Sequence, residues 1–188
     1  MATSNESLNT VKAQGQLKPN QYVDFQINGG DIKVVFIGNS ITRHGPAPDI
    51  GWHGNWGMAA SCPENDYVHK TLLGMKERGM KVDSCIAQIA VWETRFTEDQ
   101  APLEEFFTEV RDFAADIVIV RVGENMKKTA LCPESKVYFD RMIQFFAVNP
   151  KAKVIVTDSF WEHPIRSCRR HGYRERKCPQ QRHGSGEP

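Results

Sequence analysis

With 188 residues the chain has the length for one domain with a sizeable core and too little for two comfortable ones. Its 24 Lys and Arg against 23 Asp and Glu leave a net charge of +1, so nothing in the overall balance asks for an acidic partner, and no nucleic acid is expected. No run of about 18 apolar residues is available to span a membrane, and the polar start from Met1 to Gln16 lacks the apolar stretch of a secretion signal; a soluble chain is expected, cytoplasmic or exported with its signal removed.

Residues 1–20, rich in Asn, Ser, Gln and Lys, read as a disordered leader. Tyr22 to Asn28 alternates as a short strand, and Gly29-Gly30 turns the chain into Val34-Val35-Phe36-Ile37, a β-branched and aromatic run typical of a buried strand. Val68, Leu72 and Met75 at helical spacing, with Pro63 before them and Gly79 after, predict a helix between Cys62 and Gly79. A strand over Lys81 to Ala90 follows. The next helix, Pro102 to Ala115, gathers Leu103, Phe106, Phe107, Val110, Phe113 and Ala114 on a core-facing side. A strand at 117–122, a helix over Ser135 to Val148 carrying Tyr138, Met142, Phe145 and Phe146, and a strand from Lys153 to Thr157 complete the pattern. Alternation of this kind predicts an α/β fold with a mostly parallel sheet covered by helices on both faces. The five cysteines are odd in number and scattered, which favours free thiols over a disulfide framework.

Two of these strands end in the same way. Gly38-Asn39-Ser40-Ile41 follows the first core strand, and Gly123-Glu124-Asn125 follows Ile117 to Val122. A glycine there lets the backbone turn sharply, and the polar residues behind it arrive at the carboxyl edge of the sheet, where open α/β folds bind ligands. Ser40 is then either a presented nucleophile or an ordinary capping residue, and Asn125 either an oxyanion donor or a turn residue.

The two blocks resemble the first and third motifs of the SGNH, or GDSL-like, hydrolase superfamily, Gly-Asp-Ser-(Leu/Ile) and Gly-x-Asn-(Asp/Glu), with Asn39 where the first motif has Asp. The resemblance covers roughly residues 31–165. It implies a flavodoxin-like three-layer α/β/α sandwich and a serine ester hydrolase, acting on an acyl or acetyl ester and needing neither metal nor cofactor. In that family the serine attacks the carbonyl, and the oxyanion is held by the serine N–H, a second-block glycine N–H and the third-block asparagine amide, which implies Ser40 and Asn125 in those roles. A carbohydrate acetate, a lipid ester and a thioester all fit as substrate. Gly38, Asn39, Gly123 and Glu124 belong to the same pocket.

The chain departs from the family in two places. Where the second block has its glycine, this sequence carries Val91-Trp92-Glu93, so the third oxyanion donor is unassigned; Trp92 is a pocket wall or a core residue. Gly57, in the Gly- and Trp-rich segment Gly51 to Gly57, is another candidate for close backbone approach, and the tryptophans of that segment suit either ring stacking on sugars or ordinary packing. The family's Asp-x-x-His, which supplies the base near the C-terminus, occurs nowhere from Lys153 onward. Asp158-Ser-Phe-Trp-Glu-His163-Pro164 is the nearest approach, with the wrong spacing, and His163 is a weak substitute.

From Ser167 to Pro188 the only sizeable apolar side chain is Tyr173, among six Lys or Arg and two His. Such a stretch cannot bury a core face, although the family fold places a helix, a strand and the base there. A frameshift or truncation near residue 166 is the leading expectation, with a basic disordered tail as its plain form. Cys168, His171, Cys178 and His183 offer a zinc site as the alternative. A non-catalytic ligand- or carbohydrate-binding domain that kept the sheet edge is the competing expectation for function.

Overall fold

The computed structural model describes residues 17–126 and 135–158. The leader up to Gln16, the segment 127–134 and everything from Ser159 onward, including His163 and the four candidate zinc ligands, lie outside the described residues.

A five-stranded sheet forms the centre. Its strands are β1 (Val23–Gln26), β2 (Ile32–Gly38), β3 (Val82–Gln88), β4 (Ile117–Arg121) and β5 (Lys153–Val156), in the spatial order β1-β3-β2-β4-β5. β1 pairs antiparallel with β3, and every other pair is parallel. The expected α/β class is therefore what the chain adopts. β2 lies at the centre with helices on both sides, so Val34 to Ile37 are all fully buried and read as a continuous apolar run.

Five helices accompany the sheet among the described residues: α1 (Tyr67–Glu77), α2 (Ala90–Arg95), α3 (Ala101–Phe106), α4 (Thr108–Asp112) and α5 (Lys136–Phe146). α1 starts later than its apolar spacing suggests. Pro63–Asn65 forms a 3-10 turn, and Asp66, in extended backbone, caps the helix by accepting from His69 N at 2.8 Å. The helix expected over Pro102 to Ala115 is two short ones. Phe107 leaves helical geometry at φ −132° between them, and the break seats Leu103, Phe107 and Val110 together in the core.

Alternation along the strands divides the core. Val35, Ile37, Cys85, Ala87, Val118 and Val120 join the large cluster that also holds the side chains of α2 to α5. Val34, Phe36, Ile86 and Ile119 face the other way, where Val68 of α1 meets them in a much smaller cluster. The large cluster is an aromatic layer: Trp92 meets Phe139 edge-on with ring centres 5.6 Å apart, and Phe107 lies 6.2 Å from Phe146. Cys85 and Cys62 are free thiols; Cys85 is buried, and burial pushes its thiol far above the usual range.

Candidate functional site

β2 and β4 are parallel neighbours, with Gly38 opposite Arg121 at their carboxyl ends. From β2 the chain moves to β3 on one side of the sheet, and it later returns to β4 on the other. The loops after β2 and β4 therefore diverge from a point where the strand order reverses, which leaves a crevice at that edge. Gly38 suits this place because nothing larger fits: a Cβ on it would stand 1.7 Å from Thr42 Oγ1 and 2.8 Å from the Arg121 carbonyl.

Asn39 organises the first loop. Its carbonyl accepts from Thr42 N at 2.9 Å and Arg43 N at 3.1 Å, and its Oδ1 accepts from Ile41 N at 3.1 Å, so it caps a single helical turn. The capping role considered for Ser40 thus belongs to its neighbour. Ser40 stands in the first position of the turn, half-buried. Its carbonyl accepts from Met58 N at 2.9 Å, whereas its N–H and its hydroxyl meet no acceptor or donor among the described residues.

The Asn39 amide reaches across to the other loop. Nδ2 donates to Glu124 Oε2 at 2.5 Å and to Glu93 Oε1 at 3.2 Å. Glu124 is also paired with Arg121, Nη2 to Oε1 at 3.1 Å, with both side chains nearly buried. An amide fits between two carboxylates because it donates without carrying charge.

Glu93 is the residue that sequence reasoning missed as part of the site. It lies on α2 with no exposed surface. Its Oε1 accepts from the Gly123 backbone N–H as well as from Asn39, and its Oε2 accepts from Asn125 Nδ2 at 2.6 Å. Burial pushes its pKa up, opposed by these three donors, while the nearby Glu124 charge adds to the rise. The one available signal was a carboxylate directly after the fully apolar run Ile89-Ala90-Val91-Trp92.

The remaining expected residues divide. Gly38, Asn39, Ser40, Gly123, Glu124 and Asn125 come together at the edge. Trp92 does not, because it is fully buried against Phe96 and Phe139; of its two readings the core is correct. Gly57 does make the close approach, since a Cβ there would lie 2.2 Å from the Ile41 carbonyl. Its N–H, however, donates to Asp66 Oδ2 at 3.1 Å and is not left for a ligand. The N–H of Gly123 is likewise taken by Glu93. Trp52 and Trp56 pack on each other at 5.3 Å, and their indole N–H groups donate to the carbonyls of His44 and Ala60, so the Gly51 to Gly57 segment is folded on itself.

Beside the edge lies a cavity of about 540 Å³ lined by Ile41, Gly57, Tyr67, Arg121, Thr157 and Asp158, among others. Arg121 is 8% exposed, and its Nη1 has no hydrogen-bond partner among the described residues. Tyr67 donates to or accepts from Thr42 Oγ1 at 2.8 Å, and its burial pushes the phenol up to about 12. Among the described residues no group of three or more His, Cys, Asp or Glu could hold a metal ion, and no helix is long and apolar enough to cross a membrane. No protein-family model matches the chain, and no curated protein matches it significantly.

Proposed function

We propose that this edge is the site of a serine ester hydrolase of the SGNH type, acting on a small-molecule or carbohydrate acyl ester. The observation that carries the reading is the state of Ser40. At the carboxyl end of a central parallel strand it has both an N–H and a hydroxyl without a partner among the described residues, next to a loop that brings in Asn125. The order β3-β2-β4-β5 of the parallel strands supports a flavodoxin-like sandwich, in which ligands bind at the strand-order reversal.

In this reading Ser40 Oγ attacks the ester carbonyl, and the Ser40 N–H and Asn125 Nδ2 meet the oxyanion of the tetrahedral intermediate. The alkoxide leaves, and water then hydrolyses the acyl-serine. The hydroxyl proton needs an acceptor; from Lys153 onward the sequence holds no Asp-x-x-His to supply one, and the match at Asp66-Tyr67-Val68-His69 has its carboxylate engaged in capping α1 and in bonds to the Gly57 N–H and His69 Nδ1. Turnover is accordingly low, and added imidazole should raise it by standing in for the missing base.

A serine-directed organophosphorus probe tests the nucleophile: the Oγ–P bond forms as fluoride leaves. One adduct, on Ser40 and absent from Ser40→Ala, is expected. An adduct that persists in that variant would contradict the assignment. The second reading, a ligand-binding domain without catalysis, is favoured by Arg121 Nη1, which has no partner among the described residues and lies at the cavity, and it predicts no adduct at all.

A further inference from the structure

We infer that Glu93 is a positioning residue for the candidate oxyanion site: its buried carboxylate fixes which way the Asn125 amide faces and so holds one Nδ2 hydrogen free on the ligand side. The inference rests on the hydrolase reading for its functional consequence, but not for its geometry.

An asparagine amide is nearly symmetric in shape. Its oxygen and nitrogen are nearly equal in size, so packing alone does not choose between the two orientations, and hydrogen-bond partners must. Asn125 is half-buried, and its Nδ2 is held at 2.6 Å by Glu93 Oε2. An ionised carboxylate only accepts, so the nitrogen must be the atom turned inward. That commits one of its two hydrogens to Glu93. The other has no acceptor among the described residues.

The two oxygens of Glu93 have separate duties. Oε1 takes Asn39 Nδ2 and the Gly123 N–H, which joins the loop after β2 to the loop after β4. Among the described residues Oε2 takes Asn125 alone. All three partners are donors, which matches a carboxylate in full and opposes, without cancelling, the upward push of burial on its pKa. A charge with no exposed surface costs stability unless its partners compensate, and here the partners are the polar groups of both site loops.

The division of duties makes Glu93→Gln an informative variant. Gln Oε1 can still accept from Asn39 and Gly123, while Nε2 now stands where Oε2 was. It offers hydrogens to Asn125, whose amide must turn its oxygen inward and withdraw its donor. The fold keeps its volume and two of the three bonds. Loss of one oxyanion donor should slow phosphonylation of Ser40 by about 10²- to 10³-fold. Asn125→Ala should give a similar loss, and the double variant no further one.

The test pairs that rate with the side-chain amide signals of Asn125 in the NMR spectrum of the full chain. In the native protein one Nδ2 proton should be shifted downfield and exchange slowly, and its partner should exchange fast; Glu93→Gln should abolish the difference. Unmoved Asn125 signals in the variant, or additive losses in the double variant, would overturn the inference. Should Glu93→Gln fail to fold, the native spectrum decides alone, since two equally fast-exchanging Nδ2 protons contradict it. If the Asn125 signals respond as expected but native Ser40 takes no adduct, the positioning stands and the hydrolase reading fails.

Discussion

Trp92 and Glu93 are adjacent on α2 and equally inaccessible, yet they are buried by opposite means. Trp92 belongs to a dry aromatic layer, with Phe139 and Phe96 against its ring. Glu93 enters a polar cluster at the carboxyl edge, where Asn39, Gly123 and Asn125 each give it a directed hydrogen bond. Dispersion and the hydrophobic effect are non-directional and act through area, so the aromatic layer fixes where α2 sits without dictating the angle of any one group. A buried carboxylate demands donors at particular atoms, and so it transmits orientation to the loops that carry Asn39 and Asn125.

The contrast can be broken from either side. The largest loss of stability is expected from Trp92→Ala, about 3–5 kcal/mol for removing a fully buried aromatic, measured by chemical denaturation. The folded fraction should keep the native rate of Ser40 modification, because the polar edge does not depend on that ring's orientation. A smaller cost, about 1–3 kcal/mol, is expected from Asn39→Asp, which removes the donors to Glu93 and Glu124 and sets a third carboxyl beside them. Its deficit should be larger at pH 8 than at pH 5, where protonation relieves the repulsion; equal deficits would mean that the amide does not bridge the two acids. Gly57→Ala, which drives a methyl into the Ile41 carbonyl, should cost about 1–3 kcal/mol by overpacking and disturb the turn that presents Ser40.

The smallest effect is in the pH profile. The fold raises the pKa of Glu93 above its ordinary 4.5, chiefly by burial, so it favours the neutral acid relative to the unfolded chain. That contribution is fully present below pH 4.5 and is lost as pH rises through the elevated value. Glu93→Gln should flatten the decline in Tm over that interval. His44 acts in the opposite sense: burial lowers its pKa below 6.5, so its contribution is present above pH 6.5 and lost as pH falls through the lowered value.

Much of the fold was legible because β2 and β4 are buried on both faces and therefore appear as unbroken apolar runs, followed by a glycine or a turn. The two loops of the site were legible for the same reason: Gly38 and Gly123 mark where those strands stop. The break at Phe107 was not, since a continuous helix and two short ones place the same apolar residues at compatible spacing. Glu93 escaped because its importance comes from partners 30 to 54 positions away in sequence, Gly123, Asn125 and Asn39. Trp92 shows the converse. A bulky aromatic beside a motif is ambiguous locally, and only its packing against Phe139 of α5 assigned it to the core.

The most direct measurement is the release of 4-nitrophenol from 4-nitrophenyl acetate at increasing imidazole, with the Ser40→Ala protein as the blank. The account predicts release in excess of the blank that saturates with substrate, grows with imidazole and is suppressed by Asn125→Ala. Equal release from the native and Ser40→Ala proteins at every imidazole concentration would contradict it.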